Sequence, residues 1–152
     1  MINFLKRKSL ITLLIASLII LFASNYIILN FGFEGITQKI ALENNRFFPK
    51  GYFIGFIWTI LVFFQTLVFK ILKSRTSSLL VLILILNCFV YPVYTLGFSV
   101  LSMIILGNLI TLIFSSFAAG LIYVESKILS ILIGLTSLWI LFVTYLLINV
   151  HL

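Results

Sequence analysis

Apolar residues run along this chain in long unbroken stretches, and short charged clusters mark the breaks between them. Lys6, Arg7 and Lys8 precede an apolar run from Ser9 to about Asn30. A polar stretch with Glu34, Lys39, Glu43, Arg46 and Lys50 follows. The second run, Gly51 to Phe69, is closed by Lys70, Lys73 and Arg75. From Thr76 to Val124 there are 49 residues without a charge. As one helix they would extend roughly 74 Å at about 1.5 Å per residue, against a hydrocarbon core of about 30 Å. This segment is therefore read as two spans, with the turn near Gly97, just after Pro92. A last run, Ile128 to Val150, follows Glu125 and Lys127.

None of these runs shows the strict alternation of barrel strands, and each reaches the roughly 20 residues that a membrane helix needs. Backbone groups in lipid must be satisfied within their own segment, which selects helices. The predicted fold is an all-α membrane protein, a five-transmembrane-helix bundle forming one domain over residues 1–152. Its spans fall at about 9–30, 51–69, 77–97, 99–124 and 128–150, with an extramembrane loop at 31–50. The first run has the basic start of a signal peptide, but its apolar part exceeds the usual 7–15 residues, so a retained anchor is expected.

Composition agrees with the pattern. Hydrophobic residues make up 63% of the chain and charged residues 9%, with mean hydropathy +1.33. A soluble domain is about 45–50% apolar and about 25% charged. So little polar material cannot cover a water-facing surface, and the first expected partner is the lipid bilayer.

The net charge of +7 is unevenly placed. With five spans, the amino terminus and the second and fourth loops share one side and hold six of the seven net charges. The positive-inside rule makes that side cytoplasmic and puts the carboxyl terminus outside. The basic clusters thus read as orientation signals, with contact to anionic lipid as a second role, and nucleic acid is not an expected partner.

Reactive side chains are scarce. The chain has no Asp, three Glu, one histidine (His151) and one cysteine (Cys88). Metal sites, disulfide frameworks and hydrolytic triads all need more than this inventory offers, so no metal ligand or catalytic residue is assigned. No Lys, Arg, Asp, Glu or His lies inside a predicted span, which argues against proton- or ion-coupled transport.

The spans carry milder groups. Gly107, Thr111, Ser115 and Ala119 recur every four residues, as do Gly51 and Gly55. Such faces let helices approach closely, within the bundle or in a homodimer. Ile54 and Trp58 are four apart; Asn87, Tyr91 and Tyr94 follow i, i+4, i+7, and Trp139, Val143 and Leu146 do the same. Tryptophan and tyrosine often form interfacial belts, but Trp58 and Trp139 lie well inside their spans. Aromatic walls with a few hydrogen-bonding groups suit a flat apolar ligand.

Three stretches carry a family resemblance. The segment PKGYFIGFIWTIL from Pro49 resembles the P-P-G-W-x-F-G-x-x-W-T-x-L signature of the TspO/MBR family, the tryptophan-rich sensory proteins and the translocator protein (peripheral-type benzodiazepine receptor). Pro49, Gly51, Gly55, Trp58, Thr59 and Leu61 match, while Lys50, Tyr52 and Ile54 depart. LNCFVYPVY from Leu86 is similar to L-N-x-x-W-S-P-x-F, and LWILFVTYL from Leu138 to W-x-x-F-A-T-Y-L. The matches fall in the family's order, on spans two, three and five. Only two tryptophans remain, as in a divergent member.

The resemblance implies a five-helix, commonly dimeric fold that binds porphyrin or haem-type tetrapyrroles beneath the first loop, for transport or sensing, with no cofactor required. Carried over by position, the ligand-binding residues are Ile54, Trp58, Asn87, Tyr91, Tyr94, Trp139, Val143 and Leu146. Sterol binding is not expected, because only His151 follows Tyr145 as a basic residue. The alternatives are a small accessory subunit of a larger membrane complex, or a light-dependent porphyrin-degrading enzyme.

Overall fold

The computed structural model describes residues 2–30, 51–96 and 101–151. They form six helices and no strand: α1 (Ile2–Arg7), α2 (Leu10–Asn30), α3 (Gly51–Ile71), α4 (Arg75–Leu96), α5 (Leu101–Tyr123) and α6 (Lys127–His151). The loop at 31–50 and the turn expected near Gly97 lie outside the described residues.

Five of the helices follow the expected spans to within about three residues, and α1 is an addition. It breaks from α2 at Ser9, whose hydroxyl accepts the N–H of Thr12 at 3.1 Å and so caps α2. Serines also start α4 and α6: Ser74 Oγ accepts from Ser77 N at 3.3 Å, and Ser126 Oγ from Leu129 N at 3.4 Å. Each hydroxyl satisfies one of the donors that a helix leaves unpaired at its first turn.

Three helices are long and apolar enough to cross a membrane: Phe53–Ile71 in α3, Ser102–Tyr123 in α5 and Lys127–Asn149 in α6. The described apolar stretches of α2 and α4, Leu10–Ser24 and Arg75–Tyr91, are shorter. Helix α3 packs on α2, α4 and α6; α5 lies against α4 and α6, and α2 also touches α4. The buried side chains form successive layers. Val68, Phe69, Leu84, Ile122 and Ile133 pack at one end, then Leu61, Val62, Cys88 and Ile140, then Ile104, Val143 and Leu147. The outward side chains are large and apolar, among them Ile19, Phe56, Ile113, Phe117 and Leu138, as a lipid-facing surface requires.

Polar side chains tie the neighbours together. Gln65 of α3 is fully buried. Its Nε2 donates to Thr136 Oγ1 of α6 at 3.0 Å, and its amide exchanges 3.4 Å contacts with the Cys88 thiol of α4. Ser17 and Thr66 link α2 to α3 at 3.3 Å. Asn87 Nδ2 donates to Thr111 Oγ1, joining α4 to α5 at 2.6 Å. Along α5 and α6, Asn108 Nδ2 donates to Thr144 Oγ1 at 3.0 Å, Ser115 meets Ser137 at 2.7 Å, and Ser130 Oγ donates to the Ala119 carbonyl at 2.7 Å.

These bonds show how the small-residue ladder is used. Thr111 and Ser115 are fully buried against α4 and α6 of the same chain, so the ladder presents no free face at those two positions. At Gly55 a Cβ would meet nothing within 4 Å, so no described helix approaches closely there.

The amino-terminal segment, the α3–α4 connection and the α5–α6 connection meet at one end of the bundle. Lys70 donates its ammonium to the carbonyls of Lys6 and Lys8, and Lys6 donates to the carbonyl of Leu72. Burial pushes the Lys6 ammonium below its usual pKa; Glu125 opposes that shift and Lys70 adds to it. The Glu125 carboxylate accepts from Ser77 Oγ at 2.6 Å and from the N–H groups of Lys73 and Ser74 at 3.3 and 3.2 Å. It thereby pins the α5–α6 connection to the start of α4.

The Ser77 hydroxyl chiefly holds Glu125 below the usual carboxylate range; burial works against it, and the two N–H groups and Lys6 add to it. A carboxyl depressed in the folded state stabilises the fold above its unfolded pKa, and that contribution is lost as pH falls through the folded value. Wild-type protein in detergent should lose melting temperature on acidification from roughly pH 5 to pH 3. Glu125→Gln should melt lower at neutral pH and show a shallower acid dependence. Parallel wild-type and variant curves would remove Glu125 from this role.

Candidate functional site

The expected site residues come from three helices that meet around α3. Trp58 of α3 and Tyr91 of α4 are each 6% exposed, and their rings lie 4.2 Å apart between centroids at a 45° tilt. Ile54, one turn earlier on α3, and Trp139 of α6 are half-buried and pack against the same cluster. Trp139 also reaches the next layer, where Val143 packs with Ile104 and Leu147. Its ring sits 5.7 Å from that of Phe142. Five of the eight residues thus occupy one connected aromatic and aliphatic region.

The other three stand apart. Asn87 turns toward α5, where its amide is bonded to Thr111. Leu146 is half-buried on α6 and belongs to none of the buried clusters. The Tyr94 side chain lies outside the described residues.

Two polar atoms mark this region. The indole nitrogens Nε1 of Trp58 and Trp139 are buried and have no hydrogen-bond partner among the described residues. A buried donor left unsatisfied costs about 1–3 kcal/mol. The carbonyl oxygen of the Asn108 amide is in the same condition, on the α5 side.

A groove of about 340 Å³ opens between α3 and α6, at the low end of the roughly 300–1,000 Å³ of ligand pockets. Ile57, Leu61 and Phe64 line one wall, and Leu135, Trp139 and Phe142 the other. Trp139 is the one expected site residue in its lining; Trp58 and Tyr91 do not line it and pack on each other. With Ile60 and Leu138, which also line it, both walls follow i, i+3, i+4, i+7. In helices that are apolar all round that spacing occurs on every face, so the sequence carried no sign of which face would open.

Gln65 is the other residue that sequence reasoning passed over. It is the only side-chain amide in the run from Gly51 to Phe69, and that was the available signal. Comparison with family models, curated proteins and solved structures returns no match for this chain. The functional reading rests on the chain's own residues.

Interhelical hydrogen bonds within membranes contribute about 0.6 kcal/mol on average and about 1.7 at most. Gln65 joins three helices, so Gln65→Leu should destabilise the bundle by about 1–2 kcal/mol in a reversible unfolding assay in mixed micelles. Thr136→Val, which removes one bond and leaves Cys88 available, should cost less. A larger loss for Thr136→Val than for Gln65→Leu would contradict the amide's place at the junction.

Proposed function

We propose that this chain is a five-span membrane protein of TspO/MBR type that binds a flat apolar ligand of the tetrapyrrole class between α3, α4 and α6, for transport or sensing. The single observation that supports it best is the pair of buried indole N–H groups, on Trp58 and Trp139, that have no partner among the described residues and belong to or pack against one buried cluster. A porphyrin brings a broad apolar face and polar atoms on one molecule. Burying the face is favourable by about 25 cal/mol per Å², stacking adds roughly 0.5–1.5 kcal/mol, and an acceptor on the ligand relieves an unpaired donor. The resemblance of the Pro49, Leu86 and Leu138 segments to the family signature supports the same ligand class.

Five spans are supported by length. Helices α2 and α4 have 21 and 22 residues, roughly 32 Å each, against a hydrocarbon core of about 30 Å. The orientation follows from the charges gathered at the end where α1 and the α3–α4 and α5–α6 connections meet, which faces the cytoplasm. A reporter fused after Leu152 should then be active only when exported. An active cytoplasmic reporter at that position would overturn the orientation or the span count.

Titrating purified protein with a porphyrin should quench tryptophan emission saturably. Because the chain has two tryptophans, Trp58→Phe and Trp139→Phe separate their signals. Trp58→Ala and Trp139→Ala should weaken binding by about 1–3 kcal/mol, roughly 5–150-fold. Unchanged affinity in both folded alanine variants would remove the tryptophans from the site. Folded wild-type protein that binds no porphyrin would remove the ligand class.

A further inference from the structure

The basic end of the bundle holds seven of the chain's ten Lys and Arg residues and one of its three carboxylates, a net charge of +6. These cations fall into two groups. Lys6 and Lys70 are half-buried, and their ammonium groups are bonded to the carbonyls of Leu72, Lys6 and Lys8. Arg7, Lys8, Lys73, Arg75 and Lys127 are exposed. The one carboxylate here, Glu125, already accepts from Ser77 and from two backbone N–H groups. The inner pair clamps the connections, and the outer five surround the end of an apolar bundle.

Two of the five outer cations lie over aromatic rings. Lys8 sits 4.9 Å from the centroid of the Phe4 ring and Lys127 5.8 Å from that of Tyr123. Phe4 and Tyr123 are themselves 62% and 55% exposed. An exposed ring under an exposed cation suits the boundary between acyl chains and headgroups, where the ring has an apolar neighbour and the cation an anionic one.

We propose that the outer cations form a docking surface for anionic phospholipid of the adjoining leaflet, held in place by the inner clamp. Charge complementarity selects this occupant: a rim of five unshared cations meets a phosphate headgroup at the depth where the apolar surface ends. A lysine or arginine near an anionic membrane surface contributes about five-fold in binding, the equivalent of about 1 kcal/mol. Three such charges together should give well over ten-fold selection for anionic over zwitterionic lipid.

The test uses the full-length protein, reconstituted with mixed phosphatidylcholine and phosphatidylglycerol. Native mass spectrometry then counts the lipids that remain through stepwise delipidation. Wild-type protein should retain phosphatidylglycerol preferentially, and the preference should decline as salt is raised before delipidation. Combined Lys73→Gln, Arg75→Gln and Lys127→Gln should lower the preference at least ten-fold, and Lys73→Arg, Arg75→Lys and Lys127→Arg should preserve it. Lys70→Met should lower thermal stability and leave the preference of the folded fraction intact. The proposal is overturned if wild-type protein retains the two lipids in their bulk ratio. It is equally overturned if the preference ignores salt, a measurement that does not depend on any variant folding.

Discussion

The amide of Gln65 has no water to turn to, and most of the bundle's geometry can be traced to that constraint. It lies fully buried in the middle of α3, and its hydrogen-bonding capacity must be met by neighbouring helices. Thr136 of α6 and Cys88 of α4 meet it, which brings three helices to one point. The same requirement recurs around the bundle, at Ser17 with Thr66, Asn87 with Thr111 and Asn108 with Thr144. Apolar side chains fit almost as well against lipid as against each other. These polar pairs are what distinguish one packing arrangement from its rotated alternatives.

Water returns as a partner at the ends, and there the chemistry changes. Serine hydroxyls cap α2, α4 and α6, and Glu125 binds the start of α4 across the α5–α6 connection. Lys6 and Lys70 then hold α1 down on the bundle through backbone carbonyls. Each of these contacts joins segments more than 50 residues apart, or starts a helix, and together they set the relative heights of the helices. The side chains of the outer cations take no part in these contacts; of this group only the backbone of Lys8 and Lys73 is engaged.

Between the polar junction and the far end lies the region around Trp58, Tyr91 and Trp139. It combines aromatic surface, two buried donors without partners among the described residues and an adjoining groove, all within reach of α3. A purely structural aromatic cluster would be expected to satisfy its indole N–H groups at a carbonyl or hydroxyl nearby. Neither finds a partner among the described residues, which separates these tryptophans from the hydroxyls and amides that knit the other interfaces.

The apolar runs and their charged boundaries determined, by themselves, that the chain is helical, where its long helices begin and end, and that seven of its ten cations gather at one end. These are local properties: a run of some twenty apolar residues has to satisfy its backbone internally, whatever surrounds it. The family resemblance grouped Trp58, Tyr91 and Trp139; in the structure Trp58 meets Tyr91, and Trp139 packs against the same cluster. Only the tertiary structure decided which faces meet. Asn87 turned to Thr111 and not toward Trp58, the ladder at Thr111 and Ser115 was closed inside the monomer, and Gln65 became a junction. The reason is physical: a helix apolar on every side has no periodicity to show which face is inward, so that choice belongs to pairs of residues far apart in the chain.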